Sequence, residues 1–96
     1  MDSATVINEQ SVLGRQDRVM MQQVEGQSVL LDIDNGEYFS LNEVGGRVWE
    51  LCDGSRSVAA IAEVLCAEYD VPPEMAIADA RELLESLAGA GLVVER

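Results

Sequence analysis

The chain has 96 residues, a formal net charge of −12 and an apolar fraction of 48%. That gives room for one domain around a single modest core, with apolar content ordinary enough to fold without staples. All six basic residues are arginines, and there is no lysine and no histidine.

This balance argues against nucleic acid as a partner, because phosphate binding draws on neutralisation by Lys and Arg. An anionic membrane surface is disfavoured for the same reason. The commonest general base, metal ligand and Schiff-base nucleophile are all missing. The reading is therefore a protein that is not an enzyme and that needs no cofactor and no metal. Cys52 and Cys66 each sit inside an apolar helical pattern, where reduced thiols fill core space. The first residues lack a basic stretch followed by an apolar run, so no signal peptide is read. No apolar run approaches the length of a bilayer span, and a soluble cytoplasmic protein is expected.

Residues 1–17 show no sustained periodicity and predict a flexible N-terminal arm, leaving 18–96 as the folded domain. Strand periodicity begins at Arg18, where Val19, Met21 and Gln23 alternate with Met20, Gln22 and Val24. After Glu25-Gly26 a second run follows, with Val29, Leu31 and Ile33 on one face and Ser28, Leu30 and Asp32 on the other. Asp34-Asn35-Gly36 is the stronger of the two hairpin signals, because Asn-Gly readily takes the positive φ angles of tight turns. Two turns predict a three-stranded antiparallel meander. Its third strand, about Glu37 to Leu41, lies at an edge. The first strand forms the other edge, open to cover by the N-terminal arm or the C-terminal tail.

Asn42 is a good N-cap, and Val44, Val48, Leu51 and Cys52 then recur at helical spacing. Gly45-Gly46 costs this helix about 1 kcal/mol per glycine relative to alanine, which predicts another backbone crossing close by. Asp53-Gly54 is read as its end, with Gly54 as a left-handed cap. Ser57 caps a second helix with an apolar stripe of Val58, Ile61, Ala62, Leu65, Cys66 and Tyr69. Pro72-Pro73 suits the start of a third, carrying Ile77, Ala80, Leu83, Leu84 and Leu87. Leu92 to Val94 returns as a short strand or packed tail. The class is α+β, a three-stranded antiparallel sheet followed by three helices.

Leu41-Asn42-Glu43-Val44-Gly45, Val48-Trp49-Glu50-Leu51, Asp53-Gly54, Ser57-Val58 and Ile61 fall in a familiar order. Tyr69-Asp70-Val71, Asp79 before Leu83-Leu84, and Leu87 to Leu92 extend it. Together they resemble the PqqD-like family of RiPP precursor-peptide recognition elements, across about Val29 to Val94. Gly36-Glu37-Tyr38, Asn42 to Gly45 and Trp49 look most like the stand-alone B1 proteins of lasso-peptide pathways. The resemblance implies a winged helix-turn-helix-like domain that binds the leader of a ribosomally made precursor. The leader would add as a strand to the third strand, in a groove bordered by the third helix. It would then pass to a leader protease and a downstream maturation enzyme. A PqqD-type chaperone serving a radical SAM enzyme is the alternative. In one respect the chain departs from the better-known pattern: Arg81 is the only basic residue on its third helix.

Strand addition needs only unpaired backbone, so side-chain pockets must supply the rest of the affinity. The expected peptide-binding residues are Glu37, Tyr38, Phe39, Ser40 and Leu41 on the strand. On the helix they are Ala80 and Leu84 as a floor, with Arg81 and Glu85 at the rim. Tyr38 is the expected specificity contact, and Asp79 reads as a solvated carboxylate.

Three rivals fare worse. A DNA-reading helix would carry Glu74, Asp79, Glu82 and Glu85 against Arg81, which phosphates would repel. An acidic acyl carrier needs a serine after aspartate at a helix start. Asp2-Ser3 lies in the arm, and Ser57 follows Arg56. An enzyme would rest on Cys52 without a histidine base, or on Asp32 and Asp34 beside a turn.

Overall fold

The computed structural model describes residues 7–96. In chain order the elements are β1 (Val12–Arg15), β2 (Val19–Val24), β3 (Gln27–Asp32), β4 (Tyr38–Leu41) and α1 (Glu43–Leu51). Then follow β5 (Asp53–Ser57), α2 (Val58–Tyr69), α3 (Pro73–Gly89) and β6 (Val93–Glu95). The strands make two antiparallel sheets, ordered β2-β3-β4 and β5-β1-β6. The class is α+β, with the meander and the three helices where the periodicities put them. The second sheet was not foreseen.

The two hairpins reverse their expected ranking. Glu25 and Gly26 both have positive φ, 52° and 83°, and join β2 to β3 in a two-residue turn with Val24 opposite Gln27. That is the backbone of the tight hairpin turn whose twist matches the strands. Asn35-Gly36 sits instead in a longer loop, where only Gly36 has positive φ, at 76°. Gly36 N–H donates to Asp32 O at 2.8 Å, and Glu37 N–H donates to Asn35 Oδ1 at 2.9 Å. The Asn35 side chain thus works as a turn acceptor and leaves positive φ to the glycine beside it.

Residues 7–17, expected as a loose arm, are corrected. Ile7 and Leu13 are buried in the core, and β1 is the central strand of the second sheet. Glu9 O and Ser11 O accept from the N–H groups of Ala59 and Val58 at 3.0 and 2.9 Å. Those are helix-start donors with no partner inside α2, so this segment is held by the helix end it completes. The arm's first six residues lie outside the described residues. Among the described residues, neither arm nor tail covers β2. They pair with each other, Leu13 opposite Glu95 and Gly14 opposite Val94.

Asn42 caps α1 as expected, its Oδ1 accepting from Gly45 N–H at 2.8 Å. The helix ends at Leu51, before Gly54, which lies inside β5 rather than in a helix cap. Gly46 is buried where α1 crosses β3, against the side chain of Ser28. The predicted close crossing is there. Leu30 of β3, Val48 and Trp49 of α1, Ile61 and Leu65 of α2, and Leu84 and Leu87 of α3 fill the core.

Arg18 ties the two layers together. Its Nε donates to both carboxylate oxygens of buried Asp32 at 3.1 and 3.2 Å, and its Nη2 donates to Gly91 O at 2.7 Å. Asp32 also accepts from Asp34 N–H at 3.0 Å, which shapes the β3–β4 loop.

Candidate functional site

Among the described residues, the meander has an outer strand, β4, paired on one side only, with Phe39 opposite Leu30 and Tyr38 opposite Leu31. Asp32 N–H donates to Glu37 O at 2.8 Å, which makes Asp32 and Glu37 a hydrogen-bonded pair. Because such pairs alternate in antiparallel ladders, Phe39 and Leu41 direct their backbone groups to β3. Tyr38 and Ser40 direct theirs outward. The free edge therefore offers two N–H and two C=O groups to another strand. Side chains follow the same alternation: Phe39 and Leu41 turn inward, Tyr38 and Ser40 toward solvent.

Beside this edge is a groove of about 480 Å³. Leu41 comes from β4, Val44 and Val48 from α1, Leu65 and Tyr69 from α2, and Ala76, Ala80 and Leu83 from α3. The wall is apolar, while Ser40, Asn42, Asp79, Glu82 and Ser86 supply its polar atoms. No arginine lines it. A neutral or basic side chain therefore suits this mouth better than an acidic one.

Several sequence expectations shift here. Leu41 and Ala80 line the groove, and Ser40 reaches its rim. Leu84 is fully buried in the core, and Arg81 and Glu85 do not line the groove. Phe39 packs against the core. Glu37 precedes β4 in the loop, and Tyr38 faces solvent on the sheet side away from the core. Asp79, read as a solvated carboxylate, stands at the groove mouth.

Groove residues outside the expected set include Val44 and Val48 of α1, Leu65 and Tyr69 of α2, and Ala76, Leu83 and Ser86 of α3. Ala76 and Ala80, four apart and both fully buried, mark the closest-packed line of α3. That line rotates the helix so that 79, 83 and 86 lie toward β4.

The groove walls are held by charge as well as packing. Arg47 of α1 forks onto Glu68 of α2, with Nε and Nη2 each donating at 2.8 Å, and reaches Glu50 Oε1 at 3.2 Å. The Arg47 hydrogen bond holds the Glu68 carboxyl below its ordinary range. Tyr69 on the groove wall has its hydroxyl pushed above the usual phenol value, by desolvation first and then by the carboxylates of Glu43 and Glu68. It enters the groove as a neutral hydrogen-bonding group. The thiols stand apart from this site. Cys52 is buried, with its Sγ–H donating to Leu13 O at 3.3 Å, and Cys66 is half-buried and also free.

A strand edge left open beside an apolar groove defines a class, a small α+β domain able to take up an extended chain segment. The chain belongs to the PqqD family, described as coenzyme PQQ synthesis protein D, which matches residues 27–93. It is 35% identical over 54 residues to a PqqA binding protein of Bradyrhizobium diazoefficiens, a match covering 56% of this chain. The matched stretch spans about half of that relative, 52% of its length. Among solved structures it is similar to TbiB1 in complex with the TbiA(beta) leader peptide. That likeness has 32% identity and a TM-score of 0.73, over 83% of this chain and 93% of the other. It is also similar to the PqqD truncation of Methylobacterium extorquens PqqCD, a stand-alone RiPP recognition element. There the identity is 27% and the TM-score 0.81, over 95% and 97% of the two chains. Among the described residues, no helix is long and apolar enough to cross a membrane.

Proposed function

We propose that this chain binds the leader segment of a ribosomally synthesised precursor peptide and hands it to a leader protease in lasso-peptide biosynthesis. The leader adds as a strand to the free edge of β4 and lays alternate side chains into the groove bordered by α3. The observation that carries this reading is the open edge at Tyr38 and Ser40, directly beside an apolar groove. The likeness to TbiB1, which was solved with a leader peptide, supports it. The chain acts as a cytoplasmic adaptor and does no chemistry of its own.

Magnitudes divide the labour between edge and groove. Four backbone hydrogen bonds contribute about 0.5–1.5 kcal/mol net each, whereas ordering a leader costs about 1–2 kcal/mol per residue. Each Leu-sized side chain buried in the groove returns about 1.5–3 kcal/mol. The edge sets register and the groove selects sequence.

A fluorescently labelled synthetic leader, titrated by anisotropy against the wild type and Ser40→Pro, tests the reading. Ser40 N–H points outward, so proline there removes an edge donor while sparing the β3 ladder. Affinity should fall at least tenfold with the fold intact by circular dichroism. A folded Ser40→Pro protein that binds as tightly as wild type would sink the strand-addition model. Phe39→Pro would not serve, because that N–H belongs to the β3 pairing.

The similarity to a PqqA binding protein favours a second reading, presentation of a precursor to a radical SAM enzyme. Which of the two enzymes the leader-loaded protein retains on a column decides between them.

A further inference from the structure

β2 is the other outer strand of the meander, and among the described residues no strand pairs with its far side. The two-residue turn makes Val24 and Gln27 a hydrogen-bonded pair, and Ile33 N–H donates to Arg18 O at 3.1 Å at the opposite end. Alternation then turns the backbone groups of Met20 and Gln22 to β3, and those of Val19, Met21 and Gln23 outward. Gln16 O accepts the Val19 N–H at 3.1 Å. Met21 and Gln23 are left with two N–H and two C=O groups. No charged side chain lies from Val19 to Val24, so the strand lacks the common device that keeps a second strand off an edge.

Beneath the inner face of β2 lies a second cavity, also about 480 Å³. Val19, Met21 and Trp49 give it an apolar wall, and Arg15 and Arg96 bring two guanidiniums to it. In a chain of net charge −12, most arginines have a carboxylate to hold. Arg18, Arg47 and Arg56 are bound by Asp32, Glu68 and Asp53. Among the described residues Arg15 and Arg96 have no such partner. Arg15 Nη1 donates to the carbonyls of Trp49 and Glu50, both at a long 3.4 Å. Arg96 lies across Gly14, where a Cβ would collide with its Nε, and a Cβ at Gly54 would touch it as well. Two glycines thus keep a bed for this guanidinium. Asp53 also faces the cavity, but Arg56 and Ser55 already engage its carboxylate, which leaves Asp17 to oppose the two cations.

An open edge recognises an extended backbone, and the cavity recognises what that backbone carries. Residues of an added strand opposite Met21 and Gln23 share their face and turn toward the cavity. Carboxylates placed there meet guanidiniums in charge-assisted, forked hydrogen bonds. We propose that the β2 edge, with Arg15 and Arg96, is a second strand-addition site that takes an extended peptide segment with acidic side chains at alternate positions. Repulsion from the chain's net charge is screened beyond about 10 Å at 0.1 M salt, so the nearby cations decide. The site shares no residue with the α3 groove, whose mouth carries Asp79 and Glu82 and has the opposite preference. It does not depend on the leader reading.

The test uses two labelled ten-residue peptides, one alternating glutamate with valine and the other glutamine with valine, titrated by anisotropy. Wild type should bind the glutamate peptide at least tenfold more tightly, and unlabelled leader should not displace it. Arg15→Gln with Arg96→Gln should erase the preference between the peptides. Arg96→Gln alone, at an exposed residue, should reduce it in the same direction even if the double variant folds poorly. Met21→Pro removes an outward N–H and spares the β3 ladder, so it should weaken the glutamate peptide at least fivefold and leave leader affinity within twofold. Equal affinity for the two peptides overturns the acidic preference, and unchanged binding in folded Met21→Pro overturns strand addition. A wild type that binds neither peptide, or that releases the glutamate peptide to leader, overturns the second site outright. Failure of the wild type to bind leader sinks the presentation reading alone, and the peptide titrations still decide the β2 edge.

Discussion

Gly46 of α1 lies directly over Ser28 of β3, so close that a Cβ at position 46 would stand 3.1 Å from the Ser28 Cβ and collide with its hydroxyl. Both residues are buried, and neither neighbour is the yielding end of a long side chain. The contact sets the height of α1 above the sheet, and with it the depth at which Val44 and Val48 line the groove.

Gly46→Ala should therefore destabilise the protein, although alanine is the better helix former by about 1 kcal/mol. Overpacking costs about 1–3 kcal/mol, so after the alanine gain a net loss of up to about 2 kcal/mol is expected in urea melts. The loss should shrink in a Ser28→Ala background, where the hydroxyl is gone. A Gly46→Ala variant as stable as its parent in both backgrounds would mean the crossing is looser than described.

Three neighbouring positions on α3 should respond differently. Leu83→Asp puts a charge in the groove at a half-buried site, and should weaken leader binding at least tenfold with modest effect on stability. Leu84→Ala opens a core cavity and should cost about 2–5 kcal/mol of stability. Arg81→Ala should leave both measurements near wild type, because Arg81 is exposed and lines no groove. Anisotropy titrations paired with denaturant melts separate the three outcomes. Strong leader loss in the Arg81 variant would return that residue to the site.

The thiols give a pH signature. Burial pushes Cys52 from 9.0 to about 11, so the folded state keeps its proton where the unfolded chain has released it. A raised value means this stabilisation is complete below pH 9 and is lost as pH rises toward 11. The loss is on the order of 2 kcal/mol. Denaturant midpoints should fall more steeply across that window in wild type than in Cys52→Ala. At neutral pH a thiol reagent should label half-buried Cys66 well before Cys52, and equal rates would contradict the burial of Cys52.

The meander, the three helices, the Asn42 cap and the edge at Tyr38 to Leu41 were legible because each rests on local periodicity or a local hydrogen bond. The second sheet was not. β5 is Asp-Gly-Ser-Arg-Ser, without one apolar side chain, and becomes a strand only because β1 lies beside it. β1 is four residues long and has one large side chain in the core, Leu13, too little for any alternation to show. The groove was half legible. Apolar periodicity on α3 placed Ala80 and Leu84 on one face, but the rotation of that helix depends on how closely Ala76 and Ala80 let a neighbour approach. Only assembled packing reveals this. The free edge was predicted, yet which of its residues pair inward turns on the loop after Asp32, where Asn35 declined the tight turn its dipeptide favours.

β1 and β6 lie side by side, Arg15 opposite Val93, and Arg96 N–H donates to Val12 O at 2.7 Å. No residue of either strand contributes to the groove. The segments near the two ends of the fold are thus zipped to each other away from the docking edge. A short linker could join them and new ends be opened at the Glu25-Gly26 turn, giving a circular permutant with the same groove. By the same geometry, the domain suits splicing into a surface loop of a larger enzyme, entering and leaving through neighbouring strands.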